Sequence, residues 1–434
     1  MSRQQHPPSI QLISKSDFTT QHIIPVSLPA PLPPLTPGSN QALIRTHTIA
    51  LTTNNFTYAR RGGIPFLGWW DVWPMPAASS LPAPFNDPSV LAGYCRIPAW
   101  GYSVVVESAV PGLAVGTMLF GVQPVGTLAE VVELDRAGED VDGHWIEVGK
   151  RRAGLNGVYN RYMVRDCTDD DKEGRGWDAV MGVLFQTGDL MNRFVFAWEE
   201  GVPAGHPLGD ERLPWTEEDA DLAGAVVVIL AASGKTALCF ARELRAGRPK
   251  EKQPSKVVAV GSEFSRAFTT GTGLFDEVLL YSDWEDETLD LGAELGGEQG
   301  KVVLLDFGAR GDAVDRWAKV LEGKCKRLQA LVVGGDPMAK ERSEMAKRTQ
   351  DPMSGVAQVF AGGMRDRAIG IVGAAKYFAH QEAAWAKFKA DGGVQGLHLK
   401  WGEGLDDFSR GWDALDRGEH GPDVGLVYEF PVEV

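Results

Sequence analysis

The chain has 434 residues, of which 44% are hydrophobic and 23% are charged, and its formal net charge is −15. This is the composition of an ordinary globular protein that is long enough for two or three domains. The negative charge argues against nucleic acid and anionic membranes as partners, because both bind concentrated positive surfaces. The sequence begins without the apolar core of a signal peptide and has no run of about 20 apolar residues, so we expect a cytoplasmic protein.

The early part of the chain is predicted to be mostly β-structure. A Pro-rich lead-in precedes a strand over 41–48, and short strands separated by Gly and Pro follow from 97 to 134, as in a small β-barrel. The stretch 49–63 is polar and aromatic, and we expect it to lie irregularly at the wall of a cleft. Residues 64–100 are rich in Trp, Gly and Pro, a pattern that favours equally a hydrophobic pocket lining and a loop packed on its own core.

A polar, acidic segment interrupts this pattern. Residues 136–178 show little hydrophobic periodicity, so we expect an inserted surface segment. Apolar order returns at 178–196, where a helix is predicted.

The centre of the chain combines a strand, a turn and a helix. Residues 225–230 are an apolar run whose length and β-branched content are typical of a buried parallel strand. Small residues follow from Ala231 to Gly234, and apolar residues recur at helical spacing from Lys235. Such a junction places free backbone N–H groups and the positive end of a helix dipole at the carboxyl end of a strand. We therefore predict a nucleotide site here.

Strands and helices alternate after this junction. Further strands are predicted at 256–260, 277–281, 301–305, 328–333 and 357–361, with a helix at 313–321. This alternation predicts a parallel, doubly wound sheet with right-handed crossovers. The tail is predicted to contain helices over 365–390 and 406–417 and a last strand over 424–430.

The order of these parts resembles the medium-chain dehydrogenase/reductase superfamily. IPAWGYSVVVES and PGLAVGTMLFGVQPVGTLAEVVEL are similar to its barrel strands, and FDEVLLYSD resembles one of its Rossmann strands. TTNNFTYA, RIPAWGY, LNGVYNRY, LFQTGDLMNRF and ASGKTA resemble an uncharacterised branch of the superfamily. The resemblance implies an α/β protein with a GroES-like β-barrel catalytic domain plus a doubly wound Rossmann domain.

The resemblance also predicts how the chain divides. We expect a GroES-like catalytic domain over 1–190, which contains the inserted loop at about 136–178, and a Rossmann nucleotide-binding domain over 191–362. C-terminal helices and a strand over 363–434 are expected to return to the catalytic domain. Dimers are common in the superfamily, so a homodimer is one expected state.

The zinc ligands of the superfamily are replaced. Zinc-dependent members carry a Cys after the first strand and a Gly-His-Glu before a barrel strand, and these places here hold Thr53 or Asn54 and Ala99-Trp100. Zn²⁺ prefers Cys and His ligands, so a metal-free site is expected. The four cysteines are also far apart, without a CxxC motif.

The turn after the central strand has alternative interpretations. Gly234-Lys235-Thr236 is similar to the end of a P-loop, but the first P-loop glycine would fall at Ile229, inside the strand, which argues against an NTPase. The dinucleotide glycine pattern is reduced too, because Ala231 and Ser233 stand where glycines are usual. The turn is therefore either a structural turn or a dinucleotide site, whose binding residues would be Ala232, Ser233, Gly234, Lys235 and Thr236.

The end of the second Rossmann strand distinguishes NAD from NADP. The position of the acid that would bind the ribose 2′-OH of NAD is Gly261, which is followed by Ser262 and, one turn later, by Arg266. A hydroxyl and a guanidinium suit the 2′-phosphate of NADP, so NADP is favoured over NAD. Glu263 argues the other way, and Arg266 is equally consistent with a solvated surface residue.

Three further cofactor positions are predicted. Gly308 and Gly334 follow the fourth and fifth Rossmann strands, where such glycines either approach a ligand or cap a turn. Thr187 falls where the superfamily places a Thr near the nicotinamide, and its alternative role is that of a helix hydroxyl.

Hydride transfer without a metal needs a hydrogen-bond donor at the developing oxyanion. By resemblance to zinc-free quinone and enone reductases, Tyr58 would donate to the substrate oxygen and Asn55 would orient it. Tyr58 is equally consistent with a packed wall residue. The predicted substrate-pocket residues are Trp70, Trp100 and Tyr102.

Two functions follow from these expectations. The first is an NADP-dependent, zinc-independent oxidoreductase that transfers hydride to an activated C=C, a quinone or a carbonyl of a small hydrophobic molecule. The alternative is a non-catalytic binding or scaffold protein that kept the reductase fold and lost hydride transfer, as the reduced glycine pattern would allow.

Overall fold

The computed structural model describes residues 7–27, 35–64, 67–165, 171–285, 300–336, 338, 341–351 and 354–432. The chain forms two compact units. Unit 1 comprises Met1–Val180, Leu399–His420 and Val424–Val434, and unit 2 comprises Met181–His398 and Gly421–Asp423. Residues 363–398, which the sequence analysis assigned to the C-terminal segment, therefore group with unit 2.

The chain up to Val180 is rich in β-structure. Its strands are β1 (Ser9–Ser14), β2 (Gln21–Pro25), β3 (Gln41–Leu51), β4 (Tyr94–Cys95), β5 (Pro98–Ser108), β6 (Met118–Pro124), β7 (Glu130–Arg136), β8 (His144–Glu147) and β9 (Arg161–Val164). Its helices are α1 (Thr53–Arg61), α2 (Pro88–Leu91) and α3 (Lys172–Trp177).

Six of these strands close into the predicted barrel. Strands β3, β5, β6, β9, β8 and β7 are hydrogen-bonded in that order, and β7 pairs again with β3. Alternate residues of β3, including Ala42, Ile44 and Thr46, are buried, as the sequence pattern predicted. Strands β1, β2 and β4 form a separate three-stranded sheet.

Two expectations for this region were wrong. Within 136–178, strands β8 and β9 complete the barrel and bury Trp145 and Tyr162, so this part is not simply an inserted surface segment. Each strand has four residues, too few to show a clear alternation. The stretch 49–63 also contains a regular element, because α1 forms behind a capping box made by Thr52 and Asn55.

The chain from residue 181 alternates strands and helices. The strands are β10 (Val226–Leu230), β11 (Lys256–Gly261), β12 (Glu277–Leu280), β13 (Lys301–Phe307), β14 (Arg327–Gly334) and β15 (Val356–Gln358). The helices are α4 (Val183–Leu190), α5 (Glu217–Ala220), α6 (Lys235–Ala246), α7 (Glu263–Gly271), α8 (Ala313–Glu322), α9 (Glu344–Arg348), α10 (Ala361–Val372) and α11 (Ala374–Ala390). Helical turns with π geometry, Asp178–Gly182 and Met191–Val195, flank α4 and confirm the helix predicted over 178–196.

The strands of unit 2 form one parallel sheet in the order β12-β11-β10-β13-β14-β15. This is the Rossmann order: the second and third strands are added on one side of the first strand, and the fourth to sixth strands on its other side. Every residue of β10 is buried, as expected for a central strand covered on both faces. The predicted doubly wound sheet is therefore confirmed.

The tail differs from the prediction at one glycine. Gly373 has a φ of 85° and separates α10 from α11, so the helix predicted over 365–390 is two helices. The chain then forms β16 (His398–Glu403), α12 (Gly404–Asp416) and β17 (Val424–Glu429), and β17 pairs with β3. None of the helices in the described part of the chain is long and apolar enough to cross a membrane.

Candidate nucleotide site and aromatic cluster

The first turn of α6 lacks the usual capping groups. Its N-cap is Gly234, which has no side chain to accept a backbone N–H, and the turn contains no acidic residue. The first N–H groups of any α-helix have no partner within the helix, and the helix dipole makes this end positive. The carboxyl end of β10 therefore presents backbone donors that fit an anionic group.

A positively charged side chain lies at the same place. Lys235 is the first residue of α6, and its ammonium makes no hydrogen bond or ion pair within the described ranges. Burial lowers the pKa of Lys235 to about 8, although the nearby charge of Asp423 acts in the opposite direction. A cation at a helix N-terminus is unfavourable by itself, because the dipole repels it. An anion bound here would relieve that repulsion.

The turn before α6 is strained at one residue. Ala231 has a φ of 54°, and no other non-glycine residue in the described part of the chain has a positive φ. The left-handed conformation costs an L-residue about 1–2 kcal/mol. The N–H of Ala232 bonds Val260 O at 3.4 Å and the N–H of Gly234 bonds Ala231 O at 2.9 Å. The turn thus keeps a conformation suited to glycine although its sequence has lost that glycine.

Two residues beside this turn were missing from the predicted site. Asp306 lies buried near the carboxyl end of β13, and its Oδ1 accepts the N–H of Gly308 at 2.9 Å and of Ala309 at 2.7 Å. Burial raises the pKa of Asp306 to about 6. The Tyr281 hydroxyl is close to the backbone of Ala231, and burial raises its pKa to about 12. Tyr281 gave no signal in the sequence because it ends the ordinary apolar run predicted as a strand over 277–281.

The residues predicted to hold the 2′-phosphate lie at the start of α7. Ser262 is its N-cap, with its Oγ 3.2 Å from the Oγ of Ser265. Arg266 and Glu263 form an ion pair at 3.8 Å with side chains that are 50% and 75% exposed. Exposed pairs of this kind contribute little to stability, so a phosphate can replace Glu263 as the partner of Arg266.

The remaining cofactor candidates show local structural roles. A Cβ at Gly308, whose φ is 111°, would lie 3.2 Å from the backbone oxygen of Gly335, and one at Gly334 would lie 3.2 Å from that of Phe307. The two glycines therefore allow the loops after β13 and β14 to approach each other. The Thr187 hydroxyl donates to Val183 O at 3.2 Å within α4, in agreement with its alternative as a helix hydroxyl.

The predicted catalytic tyrosine lies in an aromatic cluster of unit 1, which we define as Tyr58, Trp69, Trp100 and Tyr159. The Tyr58 ring centroid is 4.7 Å from that of Trp69 and 6.1 Å from that of Tyr159. Its hydroxyl accepts the indole N–H of Trp100 at 2.9 Å and also bonds the Tyr159 hydroxyl. Tyr58 is only 5% exposed, and burial raises its pKa to about 12.

The other predicted residues of unit 1 are distributed around this cluster. The Asn55 amide accepts the N–H of Thr52 at 2.8 Å and donates to Pro98 O at 3.2 Å, so it caps α1 and ties it to β5. Trp70 donates to Ala59 O at 2.8 Å. Tyr102 is buried in the barrel and donates to Asp178. The structure thus brings Tyr58 and Trp100 together, whereas Trp70 and Tyr102 make hydrogen bonds elsewhere in unit 1.

The residue types that ligate metal ions do not gather within the described part of the chain. Across the described ranges, no group of three or more His, Cys, Asp or Glu residues is placed to hold a metal ion.

The closed barrel, the Rossmann sheet and the uncapped helix after its first strand define the fold of the medium-chain dehydrogenase/reductases. The chain itself belongs to the family DUF2855, described as a protein of unknown function, whose model matches residues 49–420. No curated protein matches the sequence.

Solved structures support the fold. CurA from Vibrio vulnificus in complex with NADPH has a TM-score of 0.53 and 11% identity, over 98% of this chain and 100% of its own. The JamJ enoyl reductase in its apo form has a TM-score of 0.55 and 11% identity, also over 98% and 100%. A mycobacterial protein complexed with NADPH has a TM-score of 0.51 and 13% identity over 97% and 99%. At these identities the likeness shows the fold alone.

Proposed function

We propose that this protein binds NADPH at the carboxyl end of β10 and acts as an NADP-dependent oxidoreductase. The observation that carries the proposal is the first turn of α6, where an uncapped helix end coincides with the cation of Lys235, which has no hydrogen-bonding partner among the described residues. Two negatively charged phosphates would satisfy both. The proposal is supported by CurA and the mycobacterial protein, which have the same fold and whose structures were solved in complex with NADPH.

The residues of unit 2 fit this cofactor. Lys235 and the backbone N–H groups of the first turn of α6 would hold the pyrophosphate, and Ser262 with Arg266 would hold the 2′-phosphate. Gly308, Gly334 and Thr187 remain candidates for the nicotinamide half. When bound, NADPH supplies a hydride. The substrate would be a small hydrophobic molecule with an activated C=C, a quinone or a carbonyl, reduced without a metal.

We further propose that the Tyr58 hydroxyl donates a hydrogen bond to the substrate oxygen. With its pKa raised by burial to about 12, the phenol stays protonated at neutral and at moderately alkaline pH, so it is a hydrogen-bond donor rather than an acceptor anion. The indole N–H of Trp100 bonds the same oxygen, which strengthens the phenol as a donor. Asn55 would act by holding α1, and therefore Tyr58, against β5.

The binding step is tested by titrating the purified protein with NADPH and following cofactor fluorescence, with NADH as the comparison. We expect saturation, and tighter binding of NADPH than of NADH. No fluorescence change at millimolar NADPH would overturn the proposal. Oxidation of NADPH in the presence of enones and quinones then tests the reaction.

A non-catalytic binding protein is the second candidate. It is favoured by the aromatic cluster, in which the Tyr58 hydroxyl already has two partners and is hardly exposed. This candidate predicts that NADPH binds but is not oxidised with any member of the enone and quinone panel.

A further inference from the structure

The most exposed large apolar side chain in the described part of the chain is a phenylalanine at the start of α7. Phe264 is 64% exposed, two residues after the N-cap Ser262. Exposed aromatic rings are costly in water, since their apolar area stays hydrated. Phe264 lies in the first turn of the helix that follows β11, and the end of the second Rossmann strand is where the adenosine ribose of a dinucleotide binds.

The Phe264 face of α7 can be located through its neighbour one turn on. Phe264 and Phe268 are four residues apart and share a face. A side chain at Gly396 would lie 3.6 Å from the ring of Phe268, so this face turns toward the loop of Gly393 and Gly396.

The same loop also binds α6. The guanidinium of Arg242 donates to Gly393 O at 3.1 Å, and Arg242 lies two turns after Lys235 on the same face of α6. The faces that carry Lys235 and Phe264 are therefore turned to one loop. Because β10 and β11 are parallel neighbours, Lys235 and Phe264 both lie at the same edge of the sheet.

We infer that Phe264 is the stacking surface for the adenine of the dinucleotide, an inference that rests on the proposed function. In the proposed site the pyrophosphate would bind at the start of α6 and the 2′-phosphate of the ribose at Ser262, so the adenine would lie beside these positions, near Phe264. A flat aromatic ring suits a purine, because stacking on a π-face needs no further hydrogen bonds.

The experiment measures equilibrium binding of three probes to the purified full chain by calorimetry. The probes are NADPH, 2′,5′-ADP, which carries only the adenosine half, and reduced nicotinamide mononucleotide, which lacks it. For Phe264→Leu we expect dissociation constants about tenfold higher for NADPH and 2′,5′-ADP, within the range known for aromatic–base stacking. The affinity for the mononucleotide should not change. Phe264→Tyr, which keeps the ring, should bind all three probes like the wild type.

The outcomes separate the two proposals. If the wild type binds neither NADPH nor 2′,5′-ADP, the proposed function fails and this inference fails with it. If the wild type binds both and Phe264→Leu binds them equally well, only the adenine assignment is overturned. Unchanged binding together with altered self-association of Phe264→Leu would show that another protein chain covers the ring, and equal weakening for all three probes would show a general structural effect. Either result also overturns the assignment.

Discussion

The first turn of α6 and the aromatic cluster of unit 1 differ in how completely their polar groups are used. At α6, a lysine without a hydrogen-bonding partner within the described ranges meets a helix end without a cap. In the aromatic cluster, the Tyr58 hydroxyl already bonds Trp100 and Tyr159 and is nearly inaccessible. The chain therefore carries both a helix end with unused donors and an aromatic cluster whose polar groups are already paired. The comparison favours cofactor binding as the better supported half of the proposed function.

Replacing Lys235 tests the first of these regions most directly. Lys235→Met should raise the dissociation constant for NADPH about 30- to 100-fold, because a charge-assisted hydrogen bond to phosphate contributes about 2–3 kcal/mol. Lys235→Arg is the matched control and should retain most of the affinity. Since the methionine removes a partly buried charge, the free energy of unfolding should not fall. An NADPH titration and a urea titration measure both quantities, and unchanged affinity in Lys235→Met would contradict the site.

The next largest effect is expected at Asp306, whose carboxylate accepts two backbone hydrogen bonds. Asp306→Ala leaves the N–H groups of Gly308 and Ala309 without their acceptor and should lower the free energy of unfolding by about 2 kcal/mol. Asp306→Asn keeps an acceptor oxygen and should stay within about 0.5 kcal/mol of the wild type near pH 7. Urea denaturation measures both variants. Equal losses in the two would show that the charge of the carboxylate, rather than its two hydrogen bonds, stabilises the loop.

The lowered pKa of Lys235 predicts how cofactor affinity depends on pH. Bound phosphate favours the protonated amine, so binding raises the pKa of Lys235 from about 8. NADPH affinity should therefore be constant below pH 8 and fall by up to about tenfold per pH unit above it. In the free protein, the free energy of unfolding changes with pH in the opposite direction. The unfolded chain holds the proton to higher pH, so the free energy of unfolding should rise from pH 8 to 10. Lys235→Met should lose both dependences, and a profile that survives this substitution would assign them to another group.

Tyr58→Phe tests the aromatic cluster of unit 1. The change leaves the buried indole N–H of Trp100 without its acceptor, so we expect the free energy of unfolding to fall by about 1 kcal/mol. If Tyr58 donates to the substrate, the variant should lower kcat with little change in NADPH affinity. Unchanged turnover, measured as NADPH oxidation, would leave Tyr58 with a packing role only.

The smallest expected effect concerns Ala231. Ala231→Gly should raise the free energy of unfolding by about 0.5–1 kcal/mol, because glycine adopts the left-handed conformation without the steric cost borne by alanine. The matched control is Ala232→Gly, which removes a buried methyl from a residue outside that conformation and should destabilise. A loss of stability in Ala231→Gly would show that the methyl group packs favourably.

The sequence predicted unit 2 better than unit 1 for a physical reason. Buried parallel strands such as β10 and β13 are continuous apolar runs and remain visible in isolation. Strands β8 and β9 are short, and their barrel position depends on partners distant in sequence. The helix α1 was missed because Thr and Asn are poor helix formers, although both can cap a helix, as Thr52 and Asn55 do.

In the candidate site, too, features set by local sequence were predictable and features set by tertiary contacts were not. The strand, turn and helix were predictable from local spacing, and so was the position of Lys235 at the start of α6. Local spacing does not reveal the left-handed φ of Ala231 or the burial of Tyr58, because both depend on tertiary contacts. The same holds for the lack of a partner for the Lys235 ammonium within the described residues. Gly373 was hidden within an otherwise helical pattern, since only its backbone angle separates α10 from α11.

The packing of α4 on α6 has a consequence for the entropy of binding. A Cβ at Gly188 would lie 2.8 Å from the backbone nitrogen of Phe240, so the two helices touch through their main chains. A helix held this closely has little freedom to tilt, and the donors at its first turn are fixed when the protein folds. A ligand that meets them would bind to donors already in position, with little loss of conformational freedom in the protein. Gly188→Ala, about 50 residues before the site in sequence, would disturb that preorganisation without removing a single donor.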